Sequence, residues 1–181
     1  MLRITIPAAE MWDERKQEFV YTKECTLQLE HSLVSLSKWE SKWRKPFISK
    51  KELTTEETID YIRCMTITQN VPPEVYYNIT SDIMDQISEY IDAPMTATWF
   101  PDDGKKGKTS SEAVTAELIY YWMIALNIPP EYQKWHLNKL LTLIRVCNVK
   151  NAPPRKMSKK ETASRNAALN AARRRKFHSK G

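Results

Sequence analysis

Cys25 with His31 six residues later, and His136 beside Trp135, are the first places where this sequence sets a possible nucleophile near a possible base. Nucleophilic catalysis needs the two groups within hydrogen-bond reach and donors aimed at the developing oxyanion. The spacing supplies neither, and both histidines read as ordinary hydrogen-bonding residues at helix surfaces. Metal-ligand spacings are missing as well: there is no CxxC, no HExxH, and no alternating Asp/Asn loop closed by Glu. Gly104-Lys105-Lys106-Gly107-Lys108 is not a phosphate loop, because the four-residue gap and the Ser or Thr after Lys are lacking. The expectation is a protein without catalytic residues, cofactor or metal.

Binding chemistry gives a sharper signal. Trp39 and Trp43 alternate with Lys38, Lys42, Arg44 and Lys45, a combination that can stack bases and neutralise phosphates. The same four-residue aromatic spacing also suits a core stripe whose edges are covered by lysine stems. Near the end of the chain Arg173, Arg174, Arg175 and Lys176 form a basic block. It suits three roles: non-specific nucleic-acid binding with strong salt dependence, docking on an acidic protein, or a solvated terminus.

Charge is distributed in two parts. The net charge is +6, but residues 155–181 hold ten Lys or Arg and one acid, leaving 18 basic and 21 acidic groups in residues 1–154. A length of 181 residues suits one domain and an appendage, here 1–152 as a globular domain and 153–181 as a basic helical tail. Six Trp, eight Tyr and 41% apolar residues are enough for a packed core, and only three Gly argues for helix over tightly turned sheet. The three cysteines, Cys25, Cys64 and Cys147, are far apart and embedded in apolar runs, which suits buried thiols rather than a disulfide framework. The N-terminus lacks the apolar core of a signal peptide, and the most apolar run, 118–126, falls well short of the ~20 residues a membrane span needs.

These residues need an α+β frame that is mainly helical, with a small N-terminal antiparallel sheet packed on a helical core and a central helical hairpin. Alternation in 2–6, 19–21 and 25–29 predicts the strands, with 7–18 as the connecting loop. A helix is expected from Leu29 to Trp43, ending before Pro46. Thr54 and Glu57 form a capping box for a second helix with the face Ile59, Ile62, Cys64, Met65 and Ile67. Ser81 or Asp82 caps a third, carrying Ile83, Met84, Ile87, Tyr90 and Ile91.

The central hairpin is expected at 112–127 and 131–150, joined at Asn127-Ile128-Pro129-Pro130, with Asn127 left-handed. Its first face is Val114, Leu118, Tyr121, Trp122, Ala125 and Leu126, and its second is Trp135, Leu137, Leu140, Leu141, Ile144 and Val146. The same joint stands at Asn70-Val71-Pro72-Pro73, with a partial copy at Asn151-Ala152-Pro153-Pro154; the spacing is too uneven for a solenoid. The stretch 102–108 reads as an exposed loop, and Ser158 with Glu161 as a capping box opening the tail helix.

Three stretches together resemble a known family. They are Leu29 to Trp43, Asp60-Tyr61-Ile62-Arg63-Cys64-Met65-Thr66-Ile67-Thr68-Gln69-Asn70, and Ile119-Tyr120-Tyr121-Trp122-Met123-Ile124-Ala125-Leu126 with Gln133-Lys134-Trp135-His136-Leu137-Asn138, and the likeness extends to Met157-Ser158-Lys159-Lys160 and Arg165-Asn166-Ala167-Ala168-Leu169-Asn170. The sequence over most of residues 27–176 is similar to proteins of long-tailed bacteriophages described as tail assembly chaperones. The resemblance implies a non-catalytic protein in the cytoplasm of the infected host that binds the tape-measure protein, keeps it soluble, helps recruit tail-tube subunits, and is absent from the finished virion. Such a partner needs an aromatic or Met-bearing groove, for which Trp39, Trp43, Tyr76 and Tyr77 are the interface candidates, with Met65, Met84, Met95 and Met123 as further contributors. Self-association fits an assembly role. Two other expectations stand beside it: a structural protein of the neck or tail, and a nucleic-acid-binding protein acting through Arg173 to Lys176.

Overall fold

The computed structural model describes residues 1–13, 17–48, 53–100, 113–153 and 159–178. The 102–108 loop and the Ser158 cap lie outside the described residues.

Strands β1 (Leu2–Ile6), β2 (Ala9–Asp13), β3 (Glu18–Thr22) and β4 (Cys25–Leu29) form two antiparallel ladders, β1 with β4 and β2 with β3. The register carries across both, from Leu2 opposite Leu29 to Asp13 opposite Glu18, so the ladders are one long hairpin broken at Pro7-Ala8 and Lys23-Glu24. Pro7 has no N–H to give to a ladder, which accounts for the break. The expected 7–18 loop is therefore corrected: Ala9–Asp13 is strand β2, and Glu18 already belongs to β3. On the inner ladder Ile4, Ile6, Leu27 and Leu29 are buried, while Thr5 and Thr26 face outward and share a hydroxyl contact of 3.1 Å. On the outer ladder Trp12 packs edge-on against Phe19 at 4.9 Å, and both rings remain exposed with Tyr21.

Helix α1 (Leu33–Trp43) starts four residues later than expected, because Leu29 belongs to β4 and Ser32 supplies the cap. It ends where Arg44 turns left-handed at φ 52°. Helix α2 (Thr55–Met65) has the expected reciprocal box: Thr54 N–H donates to Glu57 Oε2 at 2.9 Å, and Glu57 N–H donates to Thr54 Oγ1 at 3.2 Å. Ile67 is not part of its buried face. The helix stops at Met65, and Ile67 N–H donates to Gln28 C=O at 2.8 Å, leaving the side chain exposed beside β4.

A 3-10 turn (Pro73–Asn78) leads to α3 (Ser81–Asp92), capped by Thr80 rather than by Ser81 or Asp82. Helix α4 (Ala116–Ala125) then follows, with a second 3-10 turn (Pro130–Lys134) and α5 (Leu137–Asn151). The second hairpin arm thus begins at Leu137, because the residues after Pro130 wind as a 3-10 turn first. Asn70 and Asn127 take φ 57° and 52°, the left-handed conformation that ends the preceding segment. Asn151 instead is the last residue of α5.

Two cores share α1. Trp39 joins Ile4, Leu27, Tyr61, Ile62 and Ile87 in the first, between the inner ladder and helices α2 and α3. Leu33 and Leu36 join Ile119, Met123, Leu140 and Ile144 in the second, supplied by α4 and α5. The buried face of α4 is Ala116, Ile119 and Met123, which corrects the expected one: Tyr121 is 63% exposed. That helix is apolar nearly all round, so its spacing carries no phase information. Glu40 binds the parts together. Its buried carboxylate accepts from Phe47 N–H at 2.8 Å and from Ala116 N–H at 2.7 Å, satisfying one of the orphan donors at the start of α4.

The chain divides into two compact units, Met1–Cys147 and Asn148–Gly181. The second contains α6 (Lys159–Phe177), whose side chains from 162 onward are exposed. No helix among the described residues is long and apolar enough to cross a membrane.

Candidate interaction site

Trp43 is the last residue of α1, and Thr55, Glu56, Ile59, Asp60 and Arg63 follow one side of α2. With Lys42 and Tyr77 they line a cleft of about 460 Å³. The ends of α1 and α2 are held together by charge. Asp60 is buried and takes hydrogen bonds from the Lys42 ammonium and, at 2.8 Å, from Trp43 Nε1. Lys45 pairs with the buried Glu57 at 2.8 Å. The two lysines lie 5.9 and 5.6 Å from the Trp43 ring centre, within cation–π range.

Arg63 contributes a second cationic group to the lining. Its guanidinium lies 5.2 Å from the Tyr76 ring and 5.5 Å from the Tyr77 ring, and Nη2 donates to Pro73 C=O at 3.2 Å. Its Nε is buried and has no hydrogen-bond partner among the described residues. The cleft thus combines aromatic and aliphatic wall with the cationic groups of Arg63 and Lys42, which suits a chain that brings apolar bulk together with carbonyl or carboxylate groups.

The four interface candidates separate here. Trp39 is fully buried, donates through Nε1 to Glu57 C=O at 2.9 Å and stacks on Trp43 at 6.1 Å. It has no surface to offer a partner, and Tyr76, also buried, is corrected to core in the same way. Trp43 and Tyr77 do reach one cleft, with Tyr77 58% exposed. Met65 is core too, and so is Met123. Arg173, Arg174, Arg175 and Lys176 are all exposed on the last turns of α6.

The histidines are also corrected. His31 and His136 are buried, with ring centres 5.1 Å apart, rather than at helix surfaces. The link between β4 and α1 meets the start of α5 there: Leu137 N–H donates to His31 C=O at 2.7 Å, and Ser32 bridges to His136. Tyr61 Oη lies 2.6 Å from His31 Nδ1, and burial pushes the phenol up, so the hydroxyl donates to a neutral imidazole. Desolvation, helped by the neighbouring His136, pulls His31 down to about 3, and desolvation lowers His136 as well. Burial raises the Cys64 thiol, which makes it a poor nucleophile. Among the described residues no group of three or more His, Cys, Asp or Glu is placed to hold a metal ion.

Sequence spacing pointed to Trp43 through its lysines. It gave no sign of Arg63, Ile59 and Asp60 as cleft residues, because α1, α2 and the 3-10 turn converge only in three dimensions. Comparison with known proteins finds no matching family model, no matching curated protein and no matching solved structure.

Proposed function

We propose that this protein is a non-catalytic assembly chaperone of a long-tailed bacteriophage, acting in the host cytoplasm on the tape-measure chain and leaving before the virion is finished. The observation that carries the proposal is the cleft lined together by Trp43, Tyr77 and Ile59, with Lys42 beside the Trp43 ring and Arg63 beside the Tyr77 ring. Aromatic walls supply contact area that tolerates many similar apolar segments, and the fixed cations orient the backbone or acidic groups beside them. The resemblance over residues 27–176 supplies the identity of the partner. Exposed Tyr121 and Ile124 on α4 add apolar surface that a long partner chain would cover.

Co-expression with the tape-measure protein of the same phage, followed by size-exclusion chromatography with light scattering, tests this directly. The expected result is a soluble complex carrying several copies of this protein. Tyr77→Ala should weaken it by about tenfold, the loss typical of an interface aromatic, without affecting the fold, since Tyr77 is mostly exposed. An insoluble tape measure, with this protein eluting alone, would remove the proposal. Stoichiometric recovery of its peptides from purified particles would replace it with a structural role in the tail or neck.

A further inference from the structure

Helix α6 has no apolar row to bury. Its large apolar residues, Leu169 and Phe177, stand roughly two turns apart with polar and charged residues between them, so neither a protein groove nor a lipid surface finds a continuous stripe there. From residue 162 onward its side chains are exposed. What favours the helix is local: Ala163, Ala167, Ala168, Ala171 and Ala172 supply propensity, and the basic last turn complements the helix dipole.

Successive helical positions are about 100° apart, so Arg173, Arg174, Arg175 and Lys176 encircle α6 instead of lining one side. None of the four is in an ion pair among the described residues. A flat acidic protein surface can meet the cations of one side only, whereas phosphates on two flanks of the helix can meet most of them. Exposed Asn166 and Asn170, one turn apart, share a side, with Phe177 at its end. Arg173 and Lys176 fall on one flank of that side, Arg174 on the other, and Arg175 at the back can fold toward either. With alanine filling much of the remaining surface the helix stays near the slim end of the ~10 to 12 Å range, and the major groove of B-form DNA, about 12 Å wide, admits it. The deep, narrow major groove of duplex RNA does not admit side chains, and a single strand calls for several stacked aromatics where α6 has Phe177 alone.

We propose that α6 binds double-stranded DNA in the major groove, with Asn166 and Asn170 at the base edges and the Arg173 to Lys176 block on the phosphates of both strands. The two asparagines are roughly 6 Å apart along the helix axis, close to two base-pair steps of ~3.4 Å, and an asparagine amide pairs with N6 and N7 of adenine. The site goes beyond the tape-measure reading and is separate from it, because it uses no residue of the unit Met1–Cys147.

Fluorescence anisotropy of the full chain with a short adenine-containing DNA duplex, and no tape-measure protein present, tests this. The duplex should bind more tightly than its single strand or an RNA duplex. Methyl green, which occupies the major groove, should displace the protein, and netropsin, which occupies the minor groove, should not. R174Q and K176Q remove cations from opposite flanks, and each should weaken binding and lower the magnitude of the salt slope by about 1. N166A/N170A leaves every charge in place; it should raise Kd by about tenfold on the adenine-containing duplex and leave the salt slope unchanged. All four positions are exposed, and unchanged helical circular dichroism would show that the variants fold. A chain that does not bind duplex DNA at low salt overturns the proposal. So does displacement by netropsin instead of methyl green, or indifference to N166A/N170A. A preference for poly-glutamate in which only one of R174Q and K176Q matters overturns it too, and makes the partner an acidic protein surface.

Discussion

A buried imidazole is stable only while neutral, and the pair at His31 and His136 has two reasons to stay so. Desolvation opposes charging either ring, and charging one makes charging the other harder at 5.1 Å. His31 Nδ1 accepts from Tyr61, and His136 Nε2 lies 2.9 Å from Tyr90 C=O, while His136 Nδ1 has no hydrogen-bond partner among the described residues. In the unfolded chain both rings titrate near pH 6.5. Because the folded values are lower, the unfolded state binds more protons as pH falls, and stability falls with it. The full contribution is present above about pH 6.5 and is lost progressively toward about 3, the folded value of His31. Each group contributes a slope of up to about 1.4 kcal/mol per pH unit in that window. Denaturant unfolding between pH 6.5 and 5, above the carboxylate range, should show this decline, and His31→Gln should flatten it. A wild-type stability that is constant across that interval would mean that the two rings are accessible to protons in the fold.

The same pair shows why side chains were harder to read than elements. Histidine is compatible with surface and core alike, and what buries these two is the meeting of β4, α1 and the start of α5, more than a hundred residues apart in sequence. Elements announced by local chemistry were legible: the Thr54 box, the Asn127 left-handed turn, and the alternation in β1 and β4. Strand β2 was hidden because Glu10 and Asp13 resemble loop residues. The phase of α4 was hidden because Ile124 and Tyr121 are as apolar as Ile119 and Met123, and only packing chooses between them. In the cleft, Trp43 was legible from its basic neighbours, whereas Trp39 was misplaced by the same evidence. The repeated joints at Asn70 and Asn127 show what local chemistry does dictate: an Asn at positive φ, then two prolines, the second opening a 3-10 turn. At φ 52° a Cβ-bearing residue without a compensating side-chain amide is strained, while glycine is not. Asn127→Ala should therefore cost about 1 kcal/mol, and Asn127→Gly should be close to neutral or slightly stabilising. Urea midpoints of the two variants check it, and equal losses in both would locate the role of Asn127 in its side chain instead.

At the scale of the whole molecule the main asymmetry is charge. Residues 1–154 have 18 basic and 21 acidic groups, against ten and one in residues 155–181. The net positive charge that a polyanion would seek lies in the tail, and an acidic protein surface would seek the same charge. The two kinds of partner differ in how they respond to salt. Binding to duplex nucleic acid through four phosphate contacts would carry a slope of about −3.6 in log K against log salt, and it would vanish with the four charges. Replacing Arg173, Arg174, Arg175 and Lys176 with Gln should abolish any such binding in a filter or anisotropy assay. Because the Trp43 and Tyr77 cleft belongs to the other unit, the same variant should still hold the tape measure in solution. If it instead loses the tape measure while keeping its helical content, the basic helix and not the aromatic cleft carries the partner. Neutralising Arg63 in the cleft, by Arg63→Met, would then have no effect on the complex, and that pair of results would move the recognition surface from one unit to the other.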